Sequence, residues 1–189
     1  GATDGPLSMG PIAEIGVAIS GDAPAAGSVY LDYLTWSGEP NVVLGPPEGK
    51  GTMWRQAWVD GTSVFSPRGE PFRLIQNSGT GLLTQGTREW TDYRVSADVT
   101  PHLVAAAGIA ARVQGMRRYY ALLLCRNGSD GYPTARLVKV LGESTILVET
   151  DWPWELDTSY ELSLQVTGVS LRATIDGESV FDIEDSVQP

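Results

Sequence analysis

From Tyr93 to Cys125, polar and apolar residues alternate with a period of two. Arg94, Ser96 and Asp98 interleave with Tyr93, Val95, Ala97 and Val99, and Gly108, Ala110, Arg112 and Gln114 interleave with Ile109, Ala111 and Val113. This alternation predicts two antiparallel strands, each with one face in a core and one in water. Residues 119–125 are apolar on both faces apart from the tyrosine hydroxyls, which predicts a central strand. Similar short runs predict strands over 72–76, 81–85, 134–140, 145–150, 160–166, 170–175 and 179–183. Asn-Gly at 127, Gly-Glu at 142, Thr-Gly at 167 and Asp-Gly at 176 supply the hairpin turns, and Asp176-Gly177 is the clearest type I′ sequence among them. Within this series of strands, only 100–107 is compatible with a helical turn. The expected fold is all-β: an antiparallel β-sandwich of the jelly-roll kind.

Upstream the pattern is sparser. Residues 12–19 and 28–36 read as two strands around the turn segment GDAPAAG. An isolated two-stranded ribbon is marginal in water, so this pair must lie on the main sheet, on a partner chain or on a further domain. Residues 37–51, with three prolines and four glycines, read as a linker. In GTMWRQAWVDG the four-residue spacing of Trp54 and Trp58 suits one helical turn, whereas Thr52, Val59 and the closing Asp-Gly suit a strand and turn; both stay open. The expected organisation is a ribbon over 1–45, whose pattern IAEIGVAIS…GSVYLDYLTW resembles the last two strands of a galactose-binding-type sandwich and so implies the end of a preceding module, followed by a sandwich over 46–189.

Composition narrows the function classes. The 189 residues suffice for a full core, and 22 glycines with 12 prolines favour short strands and tight turns. A net charge of −10 argues against nucleic acid or an anionic membrane surface as partner, and no apolar run reaches bilayer-spanning length. Cys125 is the sole cysteine; in the most apolar strand, it reads as a buried inert thiol. The chain begins abruptly at Gly1 without signal-peptide character and reads as part of something longer.

Catalytic patterns are sparse. His102, the only histidine, lies in a Thr-Pro-His loop with no serine or cysteine arrangement to activate. Glu89 with Asp92, or Glu155 with Asp157, are conceivable acid/base pairs, but all sit in polar connections where solvated turn carboxylates are expected. No cofactor is called for; calcium is the one ion the acidic segments admit, through Asp182, Glu184 and Asp185 or residues 127–130, although neither segment has EF-hand spacing.

A polar strip of Ser96, Asp98, Arg112 and Gln114 beside a tyrosine is the most site-like feature. Neutral carbohydrate is held by planar hydrogen-bonding side chains plus an aromatic ring against the sugar's apolar face. Asp98, Arg112 and Gln114 supply the first, Tyr119 or Tyr120 the second, and Trp152 and Trp154 of DWPWELD stand at the rim, where Pro153 holds an extended loop. The structural alternative makes Tyr119 and one tryptophan core residues and lets Arg112 and Asp98 pair across strands. The expected partner is a carbohydrate or other polyhydroxylated ligand. Arg88, Glu89 and Trp90 form a second cluster, read as a corner between sheets.

The ordered segments WTDYRVSADVTP, AGIAARVQG, RYYALLL, RLVKV, YELSLQVTG and LRATIDGE resemble a concanavalin-like, laminin-G-type jelly roll over residues 51–185. GTMWRQAWVDG and FRLIQNSGTGLLTQGTREWTDYRVSADV resemble the C-terminal accessory region of bacterial ADP-ribosylglycohydrolase-family proteins, and 3-keto-disaccharide hydrolase domains are a wider relative. The resemblance implies a non-catalytic module beside the enzyme domain of a larger hydrolase. That family's acidic, magnesium-binding helical domain has no counterpart here, so none of its catalytic residues transfers. A structural spacer and a glycoside hydrolase of the keto-disaccharide type are the two alternatives.

Overall fold

Strands with one apolar face need a second layer to cover it, and here each of two four-stranded sheets covers the other. The computed structural model describes residues 43–44, 53–66, 72–126 and 131–189. These form two units: one holds residues 43–44, 53–66, 72–79 and 83–85, and the second holds 80–82, 86–126 and 131–189. The predicted ribbon at 12–36 and the predicted boundary at 45 lie outside the described residues, as does the Asn-Gly turn at 127.

In the first unit, a 3-10 turn at Met53–Ala57 precedes β1 (Val59–Gly61), so the ambiguous GTMWRQAWVDG segment holds both conformations in succession. β2 (Val64–Ser66) pairs with β3 (Arg73–Ile75), and β1 pairs with β4 (Leu82–Thr84), whose last two residues belong to this unit. Trp58, Phe65 and Phe72 form a small aromatic cluster with ring centroids 5.6–6.2 Å apart and mostly edge-on.

The second unit is the sandwich. β5 (Tyr93–Val99), β6 (Ala106–Gly115), β7 (Arg118–Arg126), β8 (Pro133–Leu141), β9 (Glu143–Asp151), β10 (Tyr160–Thr167), β11 (Ser170–Ile175) and β12 (Glu178–Glu184) fall where the alternation predicts them, within two residues at each end. One sheet runs β12-β11-β10-β5 and the other β6-β7-β8-β9. The chain therefore changes sheet between β5 and β6 and again between β9 and β10. Residues 100–105 make the first crossing without a helical turn, correcting the expectation there: Pro101 is buried, Leu103 adopts φ 51°, and Ala106 already belongs to β6.

The core is built from the inward residues of both sheets, among them Ile109, Tyr120, Leu122, Leu137, Leu164, Leu171 and Phe181, together with Trp154. β7 is buried on its other face too, where Tyr119 and Ala121 join Val138 and Val140 with Leu82 and Leu123 packed on them. This is the central strand the doubly apolar run predicts. Asp176 and Gly177 have φ of 51° and 77°, as a type I′ turn requires of its two middle residues. The Asp176 side chain also accepts the Glu161 N–H at 2.8 Å.

Candidate functional site

Because β5 and β6 lie in different sheets, the predicted polar strip does not exist as one surface. Arg94, Ser96 and Asp98 stand on the solvent face of the first sheet. There Arg94 bonds Gln165 at 2.7 Å, Ser96 bonds Ser163 at 2.9 Å, and Asp98 lies opposite Glu161. Arg112 belongs to the other sheet and is not on an open face. The β6–β7 register shifts between Ala111 and Gly115, and Arg112 takes φ 50°. Such a bulge breaks the period of two and turns the side chain inward, leaving it 6% exposed.

The aromatic candidates separate as well. Tyr120 and Trp154 are fully buried core residues and Tyr119 is 6% exposed, so these three offer no open ring face to a sugar. Trp152 is half-buried against the core beside the end of β9. Period-two reasoning places a side chain on one face or the other but cannot say which faces are covered. Trp154 donates its indole N–H to the Cys125 carbonyl at 3.1 Å, and the Arg126 guanidinium lies 5.0 Å from its ring centroid.

The sequence candidates that do come together are Arg112 and Gln114, at the end of the sandwich where β5 begins and β6 finishes. The Arg112 N–H donates to the Tyr93 hydroxyl at 2.6 Å, Nε to the Thr91 carbonyl at 2.7 Å and Nη2 to Asp92 Oδ1 at 2.9 Å. The same Asp92 oxygen accepts the Gly168 N–H at 2.9 Å. Nη1, though buried, has no protein partner. Beside it lies a hollow of about 60 Å³ walled by Thr87, Arg88, Trp90, Tyr93, Gln114 and Gln188, with Arg112, Thr91 and Val113 completing the lining. Trp90 packs edge-on to Tyr93 at 6.3 Å and also closes over Gly86, where an added Cβ would come within 2.6 Å of the indole. Burial pushes the Tyr93 phenol up, only partly offset by the backbone N–H and charge of Arg112, so Tyr93 stays a hydroxyl.

Arg88, Trp90 and Tyr93 were not expected at this site. Strand bookkeeping held a usable signal: the residues before β5 and those ending β6 must meet at one end of an antiparallel sandwich.

The C-terminal segment seals part of this end. Gln114 Nε2 donates to the Pro189 carbonyl at 3.0 Å and Gln188 Nε2 to the Gly168 carbonyl at 2.8 Å. Asp185 Oδ2 accepts from Lys139 Nζ at 2.7 Å and from the Tyr120 hydroxyl at 2.9 Å. Desolvation alone would raise the Asp185 pKa, but the bonds from Lys139, Tyr120 and the Val187 N–H outweigh it and hold the carboxyl below the usual range. A depressed folded value means stability present above the ordinary carboxylate pKa of about 3.9 and lost as pH falls through the folded value. Replacing Asp185 with asparagine is expected to cost about 2 kcal/mol at neutral pH and to flatten the acid limb of stability, measured as urea midpoints between pH 6 and pH 2.

The calcium candidates do not converge. Asp182 faces Arg172, Asp185 faces Lys139, and residues 127–130 lie outside the described residues. Among the described residues, no group of three or more His, Cys, Asp or Glu is placed to hold a metal ion, and no helix is long and apolar enough to cross a membrane. His102 pairs with Asp157 on the surface at the opposite end of the sandwich. Cys125 is buried, and burial pushes its thiol up, toward the unreactive form.

The sandwich is similar to a solved carbohydrate-binding module. That structure, carbohydrate binding module CBM66 from Bacillus subtilis, superposes with a TM-score of 0.60 over 70% of this chain and 81% of its own, at 16% sequence identity. At that identity the likeness establishes the β-sandwich fold. No family model and no curated protein matches the sequence.

Proposed function

We propose that this protein is a non-catalytic carbohydrate-binding module that positions an enzyme domain of a larger hydrolase, with its ligand site at the Arg112 hollow. The observation that carries the reading is the unpartnered Nη1 of a guanidinium whose other nitrogens are fixed by Thr91 and Asp92. A buried donor without an acceptor is costly, and a hydroxyl-rich ligand supplies the acceptor. Amide and hydroxyl groups of Gln114, Gln188 and Thr87 surround it, and Trp90 adds an aromatic wall. The likeness to a solved carbohydrate-binding module supports the reading at the level of fold. Membership of an ADP-ribosylglycohydrolase-type parent rests on the sequence resemblance alone.

Asp98 on the open sheet face and Trp152 near the far end stand apart from this hollow. Paired-carboxylate hydrolysis finds no support there, since its walls carry no carboxylate. The ribbon that motivates a spacer role lies outside the described residues.

A glycan array followed by calorimetric titration tests the proposal. Binding of at least one glycan is expected, weakened about tenfold or more in Arg88→Ala and Gln114→Ala variants that keep the wild-type melting profile, as loss of one or two charged or bidentate hydrogen bonds implies. No binding across a broad panel would sink it.

A further inference from the structure

The unused hydrogen-bonding groups of the hollow are sorted by depth. At its base sit groups with only protons left to give. Arg112 Nη1 has no acceptor, and the Tyr93 oxygen already accepts the Arg112 N–H, which leaves its own proton without a partner among the described residues. At the rim acceptors join the donors. Gln114 and Gln188 each turn one amide N–H to a main-chain oxygen, of Pro189 and Gly168 respectively, and their amide oxygens remain as acceptors beside the Arg88 guanidinium. A sugar hydroxyl at the base can accept from these donors, but it brings a proton that meets no free acceptor there. A carboxylate, which only accepts, satisfies both donors.

Size points the same way. About 60 Å³ takes a carboxylate but not a pyranose ring, since pockets that enclose whole ligands run to roughly 300 Å³ or more. The Asp92 carboxylate turns its Oδ1 to Arg112 Nη2 and the Gly168 N–H and does not wall the hollow. The Glu89 carboxyl, close to Arg88, is bonded by the Thr87 hydroxyl.

Resting on the carbohydrate reading above, we infer that the hollow selects a sugar acid, its carboxylate seated against Arg112 and Tyr93 and its ring hydroxyls donating to Gln114 and Gln188 at the rim.

The test is calorimetric titration of the whole chain, at matched ionic strength, with a uronic-acid oligomer, the same oligomer after reduction of its carboxyls to alcohols, and sodium acetate. The expected result is at least tenfold tighter binding of the uronate than of its reduced form, with acetate competing only at far higher concentration. Gln114→Ala should weaken both oligomers, whereas Arg112→Gln should weaken the uronate selectively. If Arg112→Gln fails to fold, Tyr93→Phe, which removes the phenolic donor together with the acceptor of the Arg112 N–H, gives the same comparison provided its melting profile shows it folded. Equal or tighter binding of the reduced oligomer would overturn the inference while leaving a carbohydrate-binding module. So would binding confined to neutral glycans in a wider panel. Acetate binding as tightly as the uronate would reduce the hollow to an anion site and overturn it too. If no glycan of either kind binds, both readings fail together.

Discussion

Replacing Trp154 with alanine should remove about 3–5 kcal/mol of stability, the usual cost of deleting a buried aromatic side chain. Trp154 is fully buried, and its loss also leaves the Cys125 carbonyl without the indole donor and Arg126 without the ring beneath it. Against a total of about 5–15 kcal/mol for a typical domain, that is about a fifth of the stability or more. For a chain of this size the melting temperature should fall by roughly 6–20 °C, measurable by calorimetry or circular dichroism. A Trp154→Phe variant separates the contributions: it keeps most of the packing but drops the indole N–H, and should cost less than half as much. A melt within two or three degrees of wild type for the alanine variant would mean that this residue does not close the core.

The second large effect is expected at Gly108. A Cβ built there would lie 1.9 Å from the Leu122 carbonyl oxygen and 3.0 Å from the Leu123 Cα, both backbone atoms of the paired strand β7. Overpacking in well-packed sites typically costs about 1–3 kcal/mol, and this one meets atoms that cannot rotate away, so Gly108→Ala should cost about 3 kcal/mol or more. The strands must separate or slip, and faster amide exchange in residues 106–111 and 120–125 should accompany the lower denaturant midpoint. Gly177→Ala is the matched control. With φ of 77° and open space around it, it should show only left-handed strain of about 1–2 kcal/mol. Equal losses at the two positions would contradict the close approach of β6 to β7.

These sites show how far sequence reasoning reached. The strand positions of the sandwich were legible because a sheet packed on one side writes a two-residue period into its strands, and β5 and β10–β12 carry it cleanly. The doubly buried β7 was legible for the same reason, as the run with no polar face. The candidate site was legible only in part. Arg112 and Gln114 were singled out and do lie together, but as neighbours of Thr87, Trp90 and Tyr93 rather than of Asp98. The shift of register between Ala111 and Gly115 has no signature in local propensity, and it alone turns Arg112 from the surface into a buried pocket wall.

The order of polar and apolar residues in this chain was enough to determine the class of fold, the strand segments and the type I′ turn at Asp176-Gly177, because each depends on neighbours a few positions away. Which strands share a sheet, which aromatic rings are covered and which guanidinium nitrogen lacks a partner were decided by tertiary structure. Those properties depend on contacts between residues tens of positions apart, such as Arg112 with Asp92 or Tyr120 with Asp185, and no local period records them.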